Sequence, residues 1–186
     1  MTVKTFYFNP YRECTYLVWD EQDTQRHAFI VDAGMNNERE RQRFIDFVEQ
    51  NQLHPMALLI THGHMDHICG MEYLSSTYHL TPLFFPEEGK YTLPYFGDIQ
   101  VFRTPGHSPD AVCYYYPKEH CVFTGDTLFR ETIGRTDFEV GDMHDMLTSL
   151  QKLMTLPDNT DVYPGHGYPT TIAHERQNNP YITHNA

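Results

Sequence analysis

Three histidines and one aspartate lie close together in the segment His62-Gly63-His64-Met65-Asp66-His67. The segment follows an apolar run, residues 56–60, which predicts a buried β-strand ending just before these side chains. Imidazole nitrogen and carboxylate oxygen together suit Zn²⁺, Fe or Mn²⁺, whereas Ca²⁺ and Mg²⁺ prefer shells made of oxygen alone. A solvated polar loop is the alternative interpretation, but this density of ligand atoms favours a metal site.

Further candidate ligands occur later in the chain, each beside a glycine and each after a predicted strand. They are His107 in Gly106-His107, Asp126 in Gly125-Asp126 and His166 in Gly165-His166. Glycine permits the tight backbone that turns a side chain back over the end of a sheet. Because functional loops of α/β proteins gather at one edge of the sheet, we expect these side chains to join the first cluster.

The elements that must carry these loops follow from the hydrophobic pattern. Strands are predicted over residues 3–8, 14–19, 27–31, 56–60, 83–85, 99–103, 112–116, 120–123 and 161–163. Helices are predicted over residues 38–52, 66–76 and 142–156. The order strand, helix, strand over residues 27–60 predicts a β-α-β unit, and the chain is expected to be an α/β protein. Asp32, after the third strand, is interpreted as a turn residue or as a partner of a metal-binding histidine.

Length and composition favour one folded domain over residues 1–186. The chain has 186 residues, of which 40% are hydrophobic, enough for a core that needs no disulfides. Prolines and a glycine recur at positions 82, 86, 89 and 94, and we interpret this region as a joint between two halves of the domain.

Charge and cysteine usage narrow the possible partners. The net charge of −12 opposes nucleic-acid binding, which needs a basic patch, and bound divalent metals would offset part of it. No signal peptide or membrane-length apolar stretch is evident, so we expect a cytoplasmic protein without a membrane partner. The four cysteines are scattered and are interpreted as reduced thiols. The sequence does not indicate an oligomeric state.

As a set, these motifs resemble the metallo-β-lactamase fold superfamily over essentially the whole chain. Residues 104–108 (TPGHS), 123–129 (FTGDTLF), 133–137 (IGRTD) and 163–167 (YPGHG) are most similar to its glyoxalase II branch, the hydroxyacylglutathione hydrolases. The tail, residues 170–176 and then Asn179-Pro180, resembles short bacterial forms that lack the C-terminal helical domain of full-length glyoxalase II. The resemblance implies an αββα sandwich, with two mixed sheets face to face and helices outside.

The resemblance also assigns the ligands to two divalent metals, with zinc expected and iron or manganese open. His62, His64 and His107 would hold one metal, Asp66, His67 and His166 the other, and Asp126 would bridge them. Seven ligands are too many for one four-coordinate zinc ion but suit two metals that share a carboxylate. A hydroxide bridging the metals would attack a carbonyl carbon, with Asp66 as a candidate proton acceptor and Asp126 as a catalytic ligand.

The substrate implied by the resemblance is a small thioester, S-(2-hydroxyacyl)glutathione or a related compound. Arg135 and Tyr163 are candidate substrate-binding residues, and His174 is a candidate for a supporting role beside the ligands. Because the chain ends about twenty residues after His166, we expect the cationic glutathione contacts of the full-length enzymes to be missing. This expectation favours weak glutathione affinity, or a smaller or different thioester.

Three alternatives stay open at this point. Persulfide dioxygenases bind a single iron through residues equivalent to His62, His107 and Asp126, and they share a run like residues 134–138 (GRTDF). The segment 127–129 after Asp126 favours the hydrolase over this oxygenase. A lactonase or another ester hydrolase could use the same ligands. A non-catalytic metal-binding module is the third class, and the complete ligand set argues against it.

Overall fold

The computed structural model describes residues 1–183, so His184 and the two residues after it lie outside the described residues. The described chain divides into two compact units, residues 1–84 with 93–97, and residues 85–92 with those from 98 onward. Each unit is built around one large mixed sheet. That residues 1–186 form a single domain stays a prediction.

The first unit contains a four-stranded sheet whose strands follow the order of the chain. They are β1 (Thr2–Phe8), β2 (Glu13–Trp19), β3 (His27–Val31) and β4 (His54–Leu59). The first three strands pair antiparallel, and β3 pairs parallel with β4 across helix α1 (Glu38–Gln50). The predicted parallel strands on either side of a helix are therefore confirmed. The side chain of Asn37 accepts a hydrogen bond from the Glu40 amide and caps the N-terminus of α1.

The core of the first unit is rich in aromatic side chains. Phe6 and Phe8 on β1 pack against Phe44 on α1, with ring centres 5.0 and 6.5 Å from the Phe44 ring. β1 is an outer strand of its sheet. The Arg43 guanidinium lies 4.9 Å from the Phe8 ring centre and donates a hydrogen bond of 2.7 Å to the Tyr7 carbonyl. Helix α1 thereby holds the outer strand through both packing and a backbone hydrogen bond.

Two predictions for residues 66–85 were wrong. The helix expected over residues 66–76 is two helices, α2 (Met65–Ile68) and α3 (Met71–Tyr78), because the chain turns at Gly70, whose amide donates to the Ala33 carbonyl. The strand expected over residues 83–85 is a single bridge between Leu59 and Leu83. Phe85 has a φ of 55°, a left-handed conformation that ends the extended run.

The second unit contains a six-stranded sheet in the order β12-β11-β8-β7-β6-β5. Its strands are β5 (Gly89–Leu93), β6 (Gly97–Arg103), β7 (Val112–Tyr116), β8 (Cys121–Gly125), β11 (Asp161–Pro164) and β12 (Thr170–Thr171). β8 and β11 are parallel, whereas β6, β7 and β8 pair antiparallel in turn. β9 (Leu128–Phe129) and β10 (Thr132–Ile133) form a separate hairpin. A short 3₁₀ turn, Pro117–Glu119, connects β7 to β8.

Three helices complete the described part of the second unit: α4 (Met143–Leu153), α5 (Ile172–Asn178) and α6 (Pro180–Thr183). Met146, Leu150 and Leu153 of α4 are buried with Val122 and Val162 of the sheet in one apolar core. The predicted α/β class, with two mixed sheets and helices, is confirmed. No helix within residues 1–183 is long and apolar enough to cross a membrane.

Candidate metal centre

The first unit places four predicted ligands directly after β4. His62 Nε2 lies 3.2 Å from His64 Nδ1, and the ring centres of His62 and His67 are 4.2 Å apart. Two nitrogen ligands about 2.0–2.1 Å from one tetrahedral zinc ion lie roughly 3.3–3.4 Å apart, so the spacing of His62 and His64 suits a shared ion. Asp66 Oδ2 lies 3.9 Å from His67 Nε2, on the first turn of α2.

Asp32 orients two of these imidazoles. Its Oδ2 lies 2.9 Å from His67 Nδ1, and Thr61 donates to the same carboxylate through its amide at 2.7 Å and its hydroxyl at 2.8 Å. Since that hydroxyl donates to Asp32, it accepts from His62 Nδ1, 3.1 Å away. Both rings then carry their proton on Nδ1 and keep the Nε2 lone pair for a metal. Asp32 has a φ of 59°, so it is also the predicted turn residue.

Glu13 is a buried carboxyl group beside this cluster that the sequence motifs did not reveal. Its Oε1 lies 4.0 Å from His67 Nδ1, and the Thr15 hydroxyl lies 2.8 Å from its Oε2. Burial raises the pKa of Glu13 well above its ordinary value, the charge of His67 opposes this shift, and Asp32 adds to it. The available signal was a charged residue at the start of β2, a strand buried along its whole length.

The second unit brings three predicted ligands together around one carboxylate oxygen. Asp126 Oδ2 lies 3.4 Å from His107 Nε2 and 3.7 Å from His166 Nε2. His107 donates from Nδ1 to the Arg135 carbonyl at 2.8 Å when its proton is on that nitrogen, which leaves Nε2 toward Asp126. A carboxylate oxygen that lies 3.4–3.7 Å from two imidazole nitrogens is spaced to share a cation with them.

Glycines permit this arrangement. Gly106 and Gly125, beside two of the ligands, have φ values of 142° and 47°, in the region that favours glycine. Gly134 lies against the backbone of Asp126, where a Cβ on residue 134 would be 1.8 Å from the Asp126 carbonyl oxygen. The loop after β10 therefore closes onto the Asp126 backbone only because residue 134 has no side chain.

The candidate substrate residues have other contacts in the second unit. Arg135 is exposed, bonds Asp137 at 2.7 and 3.0 Å, and lies 4.0 Å from the Phe138 ring centre. Tyr163 is half-buried and stacks on Phe123 at 5.2 Å. Burial raises the pKa of Tyr163 to about 12, so its hydroxyl stays protonated at neutral pH. Substrate binding by Arg135 and Tyr163 stays a prediction.

His174 was a candidate for a supporting role beside the predicted ligands. In the structure it contacts a turn of the second unit. Its Nε2 lies 2.8 Å from Glu131 Oε1, in the turn between β9 and β10. That turn is also held by the buried Glu175, whose Oε2 accepts from the Glu131 amide at 2.9 Å. His174 therefore helps to fix this turn, and its supporting role beside the metal ligands stays a prediction.

The residues of both units fit divalent metals by their chemistry. In each unit, pairs of nitrogen and oxygen atoms of the predicted ligands lie 3.2–3.9 Å apart. Hydrogen bonds on Nδ1 of His62, His67 and His107 leave Nε2 as the ligand atom of each ring. Mixed nitrogen and oxygen ligands of this kind suit Zn, Fe or Mn. That all seven ligands belong to one centre stays a prediction.

The sequence matches one protein family. The profile of the Metallo-beta-lactamase superfamily matches residues 14–98 and 76–166. The hydroxyacylglutathione hydrolase of Haemophilus influenzae is 30% identical to this chain and covers 98% of both proteins. An uncharacterized protein of Mycobacterium leprae is 34% identical over 90% of this chain and 92% of its own length.

Solved structures resemble the chain over nearly its whole length. A B3 metallo-beta-lactamase, BLEG-1, is 30% identical with a TM-score of 0.90, covering 98% of this chain and 100% of its own. ETHE1 from Myxococcus xanthus is 30% identical with a TM-score of 0.85, covering 99% of this chain and 85% of its own. TTHA1623, solved in a di-iron-bound form, is 30% identical with a TM-score of 0.83, covering 96% of this chain and 100% of its own. The predicted fold is confirmed by this likeness.

Proposed function

Because the chain belongs to the metallo-β-lactamase superfamily and is a metallo-hydrolase, we propose that it cleaves the thioester bond of an S-(2-hydroxyacyl)glutathione or a related small thioester. The observation that carries this proposal is the Asp126 carboxylate oxygen, which faces Nε2 of both His107 and His166. A carboxylate that lies beside a ligand of each set suits a two-metal hydrolytic site. The relative from Haemophilus influenzae that is named a hydroxyacylglutathione hydrolase supports the choice of substrate class.

The proposal assigns all seven ligands to two divalent ions, with zinc as the expected metal. His62, His64 and His107 hold one ion, Asp66, His67 and His166 hold the other, and Asp126 is shared. When bound, the ions supply an activated water and a positive charge opposite the oxygen that becomes negative during hydrolysis. Members of this superfamily bind divalent metals, and the same nitrogen and oxygen shell accepts iron or manganese.

The chain's own residues position these ligands and handle the proton. Asp32 fixes His67 directly and His62 through Thr61, so both Nε2 atoms are set before a metal arrives. The Arg135 carbonyl does the same for His107. Asp66 keeps 21% of its side-chain surface exposed, and we assign it to accept the proton of the attacking water.

Two residues of the second unit are proposed to bind the substrate. The exposed ion pair of Arg135 with Asp137 is weak in water, so a carboxylate of the substrate can compete for the guanidinium. The Tyr163 hydroxyl remains a hydrogen-bond donor at neutral pH because burial raises its pKa to about 12. We place the reaction in the cytoplasm, which keeps free thiols such as Cys14, Cys69, Cys113 and Cys121 reduced.

The decisive test is glutathione release from S-lactoylglutathione by the purified protein loaded with zinc, iron or manganese. We expect saturable release of glutathione, and we expect its rate to fall at least a hundredfold in His107→Ala because that variant loses a metal ligand. Metal content is measured on the same samples. A fully loaded wild-type protein that releases no glutathione contradicts the assigned substrate.

One specific observation favours a second candidate function, persulfide oxidation. Within residues 134–138, a run that resembles persulfide dioxygenases, the Arg135 carbonyl contacts His107 and the Phe138 ring lies 5.6 Å from the His107 ring centre. Oxygen uptake on glutathione persulfide by the iron-loaded protein tests it. A lactone and a β-lactam complete the substrate panel, since the solved structure BLEG-1 is described as a metallo-beta-lactamase.

A further inference from the structure

Asn9 connects two loops of the first unit through one side chain. It lies in the turn between β1 and β2, and its Nδ2 donates to the carbonyls of Gly34 at 3.0 Å and Asp66 at 2.9 Å. Its Oδ1 accepts from the Tyr11 amide at 3.0 Å. Carbonyls only accept and an amide N–H only donates, so these three partners fix the orientation of the carboxamide.

The turn that carries Asn9 is itself held in place by α1. Glu40 Oε1 accepts from the Asn9 amide at 2.9 Å, and Glu40 Oε2 accepts from the Asn36 amide at 2.9 Å. The Asn9 backbone has a φ of 50°, a left-handed conformation that asparagine adopts more readily than most residues. The carboxamide is therefore presented to the two loops from a fixed base.

The two loops are those that carry the metal-binding groups of α2 and their support. Gly34 belongs to the turn after β3 that contains Asp32, and Asp66 lies in the first turn of α2. Ala33 already donates to the His67 carbonyl at 2.8 Å, and Gly70 donates to the Ala33 carbonyl at 2.7 Å. The bond from Asn9 adds a contact at Asp66 itself, in the first turn of α2.

We propose that Asn9 is a positioning residue for the ion held by Asp66 and His67, which rests on the ligand assignment of the proposed function. By fixing the Asp66 carbonyl, Asn9 sets the position from which the Asp66 carboxylate and the His67 imidazole project. The Nδ1 of His62 is held instead by the Thr61 hydroxyl, and His62 Nε2 lies beside His64 Nδ1. Loss of Asn9 should therefore weaken one metal site and spare the other.

The test is a zinc titration of the metal-free protein in competition with a chromophoric chelator. Asn9→Asp keeps the size of the side chain but turns an oxygen toward two carbonyl oxygens, and Asn9→Gly removes the side chain while keeping the positive φ. Each should weaken one of the two sites tenfold to about a hundredfold, the usual cost of losing an outer-shell contact. The other site should change less than threefold.

Two further variants make the result specific. Arg12→Gly alters the same turn at another residue of positive φ, 58°, and should leave both affinities unchanged. Asp66→Ala removes one of the two ligands that Asn9 positions, so adding Asn9→Asp to it should cause a smaller further loss than Asn9→Asp causes in the wild-type protein. Thermal unfolding of each metal-free variant separates these effects from a general loss of folding.

Three outcomes would overturn the inference: both sites unchanged in Asn9→Asp, both sites weakened equally, or a wild-type protein that binds fewer than two ions. Thioester turnover by the wild-type protein is measured separately. A selective loss of one site in a protein without turnover would leave the inference standing and reject the proposed substrate.

Discussion

Asp32 and Asp126 are both carboxylates among imidazoles, but their surroundings give them different roles. Both oxygens of Asp32 accept hydrogen bonds, from Thr61 and from the Nδ1 of His67, at 2.7–2.9 Å. Asp126 instead faces two Nε2 atoms at 3.4 and 3.7 Å. A metal ligand uses a lone pair to bind the ion. A supporting carboxylate uses its lone pairs to accept hydrogen bonds from the groups that it orients. The contacts thus separate a support from a proposed ligand of the same residue type.

Asp126→Ala should remove metal as well as activity. The carboxylate is assigned to both ions, so its loss should leave at most one ion per chain and lower thioester turnover at least a hundredfold. Elemental analysis and turnover of the same preparation check both effects. His144, exposed on α4, offers the matched control, and His144→Ala should keep both properties. Two ions per chain in Asp126→Ala would reject the bridging assignment.

The motif residues could be identified from the sequence because metal ligands are few in type and lie close together in the chain. The groups that orient them could not. Glu13 and Asn9 are 49 or more residues before the His62 segment they serve, and nothing in their local sequence marks them. Their roles arise from tertiary contacts, and only Asp32, at the end of a predicted strand, could be suspected.

Among the elements of the second unit, the loops between strands hold the predicted ligands. The loop after β10 runs so close to the end of β8 that Gly134 contacts the Asp126 backbone, and the next residue, Arg135, supplies the carbonyl for His107. One loop thus supports two predicted ligands. Its two supporting groups are a backbone contact and a backbone carbonyl, so its shape matters more than its side chains.

Gly134→Ala should disturb this loop strongly. A Cβ at that position would lie 1.8 Å from the Asp126 carbonyl oxygen, and a backbone cannot yield as a flexible side chain can. We expect an affinity loss of at least tenfold for metal, measured by chelator competition, with a lower thermal midpoint. Thr132→Ala, an exposed position on the neighbouring strand β10, should change neither. Unchanged metal affinity in Gly134→Ala would show that the loop does not support Asp126.

Most elements of four or more residues were predicted from the sequence, and the two-residue strands were not. β1, β2, β3, α1, β7 and α4 carry clear periodicity and agree with their predicted positions to within a few residues. β9, β10 and β12 have two residues each, too few for any period. β5 lies in the region of prolines and glycines that was interpreted as a joint, and it was missed for that reason.

The acidic charge of the whole molecule affects how it should respond to metal. The chain carries a net charge of −12, and the two proposed ions would reduce it to −8. Ligands that bind only the folded state stabilise it by about 4 kcal/mol at a thousandfold excess over Kd. The metal-loaded protein should therefore be more stable than the metal-free protein by a measurable amount.

Metal removal should lower the midpoint of thermal unfolding by about 8–16 °C, from about 4 kcal/mol and roughly 2–4 °C per kcal/mol for a chain of this size. Calorimetry before and after chelation and dialysis measures it. Returning zinc should restore the midpoint. An unchanged midpoint after complete removal of metal would mean that the ions contribute little to the folded state.

The outer strand β1 has a consequence for how the protein behaves in crowded solution. A free strand edge with alternating phenylalanines, as in Phe6 and Phe8, is a template on which other chains can add strands and form aggregates. The Arg43 guanidinium occupies the Tyr7 carbonyl, one of the acceptors that an incoming strand would need. Lys4, exposed on the same strand, adds a charge that a growing fibril would have to bury. Two basic residues of an acidic chain thus oppose self-association at this edge.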